Sequence, residues 1–71
     1  MKLLYDKDSD ALYIKLSDAL SVESSEASPD IVLDFDGEGR LVGIDMDHAS
    51  EHVDVTSIEA SGLPLGSISA R

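Results

Sequence analysis

Acidic side chains with the spacing of a calcium-binding loop surround one turn of the sequence. Asp34, Asp36 and Glu38 are two residues apart, Gly39 follows directly, and Asp45 stands at the twelfth position of the pattern. Helix–loop–helix calcium sites place oxygen ligands at such positions and a glycine at the sharp bend. These four carboxylates are therefore candidate ligands of a hard cation. Because the flanking residues favour strands rather than helices, a solvated strand face is the leading interpretation.

Two histidines make a second candidate metal site. His48 and His52 are four residues apart, which on a helix would place both imidazoles on one face. Zinc sites use that spacing with a third ligand, for which Glu51 and Asp45 are the nearest candidates. Glu51 adjoins His52 directly, so the pattern differs from the zinc-protease motif. A solvated helix face is the ordinary interpretation, and titration of the pair would make stability depend on pH near neutrality.

The remaining residues lack the groupings that covalent or acid–base catalysis needs. The chain has no cysteine nucleophile, and its serines lie in polar stretches rather than in a nucleophile elbow. Gly37-Glu38-Gly39 is not followed by lysine, as a phosphate-binding loop would be. Asp45, Asp47 and His48 could act as acid and base only within a pocket that shifts their pKa values. The sequence therefore predicts a protein that is not an enzyme and has no cofactor, with a small hydrolase as a weaker alternative.

Alternating apolar residues predict the elements that carry these side chains. Two hairpins are expected, one joining Leu3–Tyr5 to Ala11–Leu16 and the other joining Ile31–Asp36 to Arg40–Met46. Gly37-Glu38-Gly39 supplies the second hairpin with residues that tolerate a positive φ. The side chains predicted to share the buried side are Leu12, Ile14, Leu16, Ile31, Leu33, Phe35, Val42, Ile44 and Met46.

The other segments carry weaker signals. Residues 17–30 are rich in Ser and Glu and include Pro29, so they predict a linker, with a short edge segment near Val22 as the alternative. After the last strand, Asp47 is the expected N-cap of a helix of one to three turns. Val53 and Val55 also fit an alternating strand, which leaves the end of that helix open.

These elements predict an α+β fold class. The expected architecture is a small antiparallel sheet of two consecutive hairpins, about four strands in all, with one short helix after the last strand. Residues 1–59 would form a single domain, and residues 60–71 an extended or flexible tail.

Charge and length restrict the partners. The chain has 71 residues, and its 15 Asp and Glu against 5 Lys and Arg give a formal net charge of −10. Such a charge repels nucleic acid and anionic membranes and favours a basic partner protein or a cation. A domain this small without disulfides has little stability of its own, so a homodimer is expected. With no cysteine, no signal peptide and no apolar run that could span a bilayer, the cytoplasm is the expected compartment.

Five short segments follow one another along the chain, namely Tyr5–Asp6, Asp10–Ile14, Ile31–Asp36, Gly39–Asp45 and Ala49–Ser50. With these segments in this order, the chain closely resembles the small prokaryotic proteins grouped as domain of unknown function 2283, over roughly residues 1–53. Many members have Glu where this chain has Asp45. The resemblance implies a small stand-alone domain without a settled activity, and for members encoded beside toxin-like proteins it implies an antitoxin role. The family-typical positions are Tyr5, Asp6, Asp10, Ala11, Leu12, Tyr13, Asp34, Asp36, Gly39, Gly43, Ile44, Asp45, Ala49 and Ser50.

Simple structural roles are expected at several of those positions. Gly43 would let the strand bend or let a neighbour approach closely. Ala11 and Ala49 would be small packing residues, and Tyr5 and Tyr13 would offer an apolar body with a polar tip at a surface or interface.

Two functions from different classes follow. The first is a small acidic, non-enzymatic interaction domain, antitoxin-like, which self-associates and binds a basic protein. The alternative is a metal-binding protein that uses the Asp34/Asp36/Glu38 turn or the His48/His52 pair.

Overall fold

A computed structural model describes residues 1–66 of the chain. These residues form one five-stranded sheet in which every pair of neighbouring strands is antiparallel and the spatial order is β1-β2-β5-β4-β3. The strands are β1 (Lys2–Asp6), β2 (Ala11–Lys15), β3 (Glu23–Ser28), β4 (Ile31–Phe35) and β5 (Leu41–Met46). Ala49–Glu51 form a 3-10 helix. The part of the predicted tail after residue 66 lies outside the described residues.

Both predicted hairpins are confirmed. β1 pairs with β2, β4 pairs with β5, and β5 also pairs with β2, which places the two hairpins side by side. The register aligns the apolar residues of the strands in rows across one side of the sheet, called here the apolar face. One row contains Tyr5, Leu12, Met46 and Ile31, and the next contains Leu3, Ile14, Ile44 and Leu33.

The main buried cluster lies at one end of the apolar face. Leu12, Met46 and Ala49 are buried together, and Ala49 is 0 % exposed; Val42, near the other end of β5, is buried outside this cluster. Ile14, Ile31 and Val55 pack against this cluster. The residues after β5 therefore cover the first row of the apolar face, because the 3-10 helix returns across the sheet at that point.

The prediction of a linker over residues 17–30 was wrong over residues 23–28, where β3 forms the edge of the sheet, so the alternative of an edge segment near Val22 is the one that the structure supports. β3 pairs with β4 from Glu23↔Phe35 to Ser28↔Ile31, with a bulge between Glu26 and Ser28. Its residues are nearly all polar and exposed. Backbone pairing rather than burial holds such a strand, so it carries no apolar alternation that a sequence pattern could detect. Its charged side chains and bulge are features that protect sheet edges from pairing with other chains.

The predicted helix of one to three turns is reduced to a single 3-10 turn, so the molecule is mostly β rather than α+β. The helical segment is only three residues long, and its N-cap is His48 rather than Asp47. His48 has a φ of 51°, in the left-handed region that ordinary residues seldom adopt, so helical backbone cannot begin earlier. The Asp47 amide donates to the Asp30 carbonyl oxygen, which ties the start of this segment to the neighbouring turn.

Candidate functional site

The side of the sheet opposite the apolar face carries a hydrogen-bonded tyrosine. The Tyr13 hydroxyl donates to Asp34 Oδ2 at 2.9 Å, and the Ser24 hydroxyl donates to Asp34 Oδ1 at 2.6 Å. The Tyr13 ring crosses β5 directly over Gly43, where any Cβ atom would collide with it. The expectation that Gly43 permits a close approach is therefore confirmed. The hydrogen bond to Asp34 raises the pKa of Tyr13.

Asp10 joins the first hairpin to the 3-10 helix. Its carboxylate accepts a hydrogen bond from the Tyr5 hydroxyl at 2.6 Å and another from the Ser50 hydroxyl at 2.7 Å. The Ser50 amide also donates to this carboxylate, and the Ala49 amide donates to the Asp10 carbonyl oxygen. These bonds, that of Tyr5 first, lower the pKa of Asp10. Asp10 has a φ of 54°, a conformation that Asp tolerates better than most residues.

The two histidines do converge, but on a carboxylate that the sequence analysis missed. His48 Nδ1 lies 3.2 Å from Asp30 Oδ1, and His52 Nε2 lies 2.9 Å from Asp30 Oδ2. The hydrogen bonds, that of His52 first, lower the pKa of Asp30, and the bond with Asp30 raises the pKa of His48. Asp30 follows Pro29 in the supposed linker, 18 residues from His48, so no spacing rule connects them.

The acidic second turn is organised by its own backbone. Asp36 Oδ1 accepts hydrogen bonds from the amides of Glu38 at 2.9 Å and Arg40 at 3.0 Å, and these bonds, that of Arg40 first, lower the pKa of Asp36. Glu38 forms an ion pair with Arg40. Both oxygens of Asp34 are engaged on the polar side of the sheet. The turn therefore has a structural explanation without a metal.

The predicted acidic ligands of the second turn do not all come together in the structure. Asp45 is exposed and faces Tyr13 in the β2–β5 register, away from the Asp36 turn. Within residues 1–66, no group of three or more His, Cys, Asp or Glu side chains is arranged to hold a metal ion. Metal binding by the Asp34/Asp36/Glu38 turn or the His48/His52 pair stays a prediction, which thermal melting with added calcium, magnesium and zinc would test.

Two depressions on the surface of the described residues have volumes of about 290 Å³ and 470 Å³. The first is lined by Met1, Lys2, Lys15, Ser17 and Asp18, and the second by Glu23, Ser24, Ser25, Phe35 and Gly39. Neither depression is lined by the Asp45, Asp47 and His48 cluster.

Part of the apolar face has no described element packed over it. In the row of Leu3, Ile14, Ile44 and Leu33, Leu3 is 47 % exposed and the other three residues are half-buried. Ile14 packs against the buried cluster, as do Ile31 and Val55. Within residues 1–66, the 3-10 helix is the only helix or strand outside the sheet, and its Ala49 packs with Leu12 and Met46 of the other row.

The comparisons with known proteins identify the family. A family model described as "Protein of unknown function (DUF2283)" matches residues 2–50. The chain belongs to the DUF2283 family. Neither the curated proteins nor the solved structures include a match. The match ends at Ser50, which is the residue that binds Asp10 from the 3-10 helix, so the DUF2283 region contains the whole sheet and this connection.

Family-typical positions that are far apart in the sequence meet in the structure. Tyr5, Asp10 and Ser50 form one hydrogen-bonded group. Tyr13 and Asp34 meet over Gly43 in a second group. Ala49 is buried in the core, as its expected role as a small packing residue requires. Each of these positions therefore has a structural role in the fold.

The described residues 1–66 contain no helix that is long and apolar enough to cross a membrane.

Proposed function

We propose that this DUF2283-family chain is a non-enzymatic interaction domain, in which the apolar face docks onto a protein surface. The observation that carries the proposal is the uncovered row of Leu3, Ile14, Ile44 and Leu33, which spans four strands without a charged residue. Contiguous apolar surface on a small protein marks an interaction site more often than it marks solvent-exposed structure. The hydrogen bonds of Tyr5 with Asp10 and of Tyr13 with Asp34 stabilise the sheet that carries that surface.

The charge of the chain favours a basic partner. The formal net charge is −10. On the side of the sheet opposite the apolar face, called here the polar face, β3, β4 and β5 present Glu26, Asp34 and Asp45. Complementary charge accelerates encounter and selects among partners more than it adds affinity. The finer proposal is an antitoxin-like role, in which a basic toxin-like protein binds the polar face, opposite the apolar docking surface.

The polar face offers a test with a matched control. Glu26 and Asp45 both flank Val32 in the register, so the double variant Glu26→Gln/Asp45→Asn removes two carboxylates from the polar face. The double variant Asp8→Asn/Glu59→Gln removes two exposed carboxylates from outside the sheet. Both variants therefore change the net charge equally.

Co-expression with the product of the adjoining gene, followed by native mass measurement at low and high salt, is the experiment. The proposal expects a complex at low salt that weakens with salt, and a larger loss of affinity for the polar-face variant than for its control. The absence of a complex at low salt would overturn the basic partner. An equal loss in both variants would reduce the effect to net charge and remove the polar face from the proposal.

A further inference from the structure

We infer that the apolar face is occupied by a second copy of the same chain, with sheet packed against sheet to form a two-layer sandwich. The inference deepens the proposed function and rests on its claim that the apolar face is a docking surface. The apolar face would then bind a second copy, and the acidic outer surface would stay accessible to a basic partner.

The chain exposes more surface than a compact monomer of its mass. A folded monomer of 7.6 kDa exposes about 4,300 Å², whereas this chain exposes 5654 Å². The exposed residues 56–66 contribute to this area together with the exposed and half-buried side chains of the apolar face. A standard protein–protein interface takes ~800 Å² from each partner, which is less than the excess of roughly 1,300 Å².

The core of one copy is correspondingly small. Only four apolar side chains among the described residues are buried, namely Leu12, Val42, Met46 and Ala49. Larger apolar residues of the central strands, such as Phe35 and Ile44, stay half-buried. A second sheet would complete their burial, since face-to-face sheets pack about 10 Å apart with interdigitated side chains.

The distribution of charge permits two strongly acidic chains to meet in this way. The row from Leu3 to Leu33 holds no ionisable group, and the carboxylates of Glu26, Asp34 and Asp45 lie on the opposite side of the sheet. Glu23 of the edge strand β3 pairs with Phe35 of β4, so its charge lies at the margin of the apolar face. An apolar centre with a polar rim is the usual anatomy of a protein interface. A basic partner would find no carboxylate in the centre of this face, which favours a second copy as its occupant.

Adjacent residues of β4 supply the test, because the chain has no native cysteine. Leu33 lies on the apolar face and Val32 on the opposite side, and both are half-buried. The variants Leu33→Cys and Val32→Cys are labelled with a water-soluble maleimide over a wide range of protein concentrations. The native mass of the unmodified chain is measured over the same range.

The expected result is a native mass that doubles with concentration and a Leu33→Cys thiol that becomes protected over the same range. Its labelling rate should fall about tenfold when about nine-tenths of the chain is dimeric, whereas the Val32→Cys rate stays constant. Circular dichroism verifies that each variant keeps its sheet. If Leu33→Cys itself prevents association, Ile44→Cys probes the same row from β5.

Other outcomes overturn the inference and separate it from the proposed function. A monomeric mass at every concentration overturns the second copy. Protection of a chain whose native mass is monomeric would show that the chain's own residues cover the face, and both claims would then fail. Protection that requires the basic partner would retain the apolar face as a docking surface and reject self-association. Equal, concentration-dependent protection of both thiols would place the interface elsewhere.

Discussion

The substitution Gly43→Ala tests the packing of the polar side of the sheet. An added Cβ atom would lie 2.6 Å from Tyr13 Cζ and still closer to the hydroxyl oxygen, so the ring would have to move away. Moving the ring breaks the hydrogen bond to Asp34, which measures 2.9 Å. The change also reduces contact between the ring and the β5 backbone.

The size of the effect follows from opposing contributions. Overpacking costs about 1–3 kcal/mol and the lost hydrogen bond about 1 kcal/mol, but the tip of a half-buried ring can swing outward and relieve part of the collision. Alanine is favoured over glycine within a strand by about 0.5–1 kcal/mol, which offsets some of this cost. We expect a net destabilisation of about 1–2 kcal/mol, which lowers the midpoint of thermal unfolding by roughly 5–10 °C for a domain of this size.

A double-mutant cycle makes this expectation specific. In a Tyr13→Val background no ring crosses Gly43, so Gly43→Ala should be neutral or slightly stabilising, with a coupling of about 2 kcal/mol between the two positions. Gly37→Ala is the control, because a Cβ atom there would meet nothing within 4 Å. Thermal melts followed by circular dichroism at one fixed protein concentration give all the values. An equal cost of Gly43→Ala in both backgrounds would refute the reasoning.

Three further predictions concern the connections between turns. Asp30→Asn should lower the melting midpoint more at pH 5.5 than at pH 8.5. The pKa of His48 is raised in the fold, so the protonated imidazole stabilises the fold fully at pH values below the ordinary pKa of 6.5. This stability is lost as the pH rises through the pKa of the folded state. The pKa of Asp30 is lowered in the fold, so its ionised carboxylate stabilises the fold above the ordinary value of 3.8, a range that includes both test pH values. An equal loss of melting midpoint at pH 5.5 and pH 8.5 would therefore contradict an ion pair between Asp30 and protonated His48. Asp10→Ala should lower the melting midpoint more than Asp10→Asn does, because asparagine tolerates the φ of 54° and retains a side-chain hydrogen-bond acceptor. Equal midpoints would argue against a stabilising connection through Asp10 between Tyr5 and Ser50. Gly39→Ala should cost about 1 kcal/mol in denaturant unfolding because its φ is 79°, and a result equal to that of Gly37→Ala would exclude strain at the turn.

Sequence patterns were sufficient for the two hairpins and for the side that β2, β4 and β5 bury. Leu12, Ile14, Ile44 and Met46 alternate with polar residues, and that period of two allows only one side of a strand to be apolar. The family was also identifiable from the sequence, because its motifs are contiguous short segments. The hydrogen-bonded groups that join these segments were not identifiable, since Tyr5 and Ser50 are connected only through the folded position of Asp10.

The sequence by itself determined which residues are apolar, where the chain turns, and that the molecule carries a large negative charge. Only the tertiary structure decided that the polar residues 23–28 form an edge strand rather than a linker, that the helix stops after three residues, and that both histidines lie against Asp30. The physical reason is the same in each case. Local patterns report burial and backbone preference, whereas pairing with a distant strand and contact with a distant carboxylate depend on which segments the fold brings together.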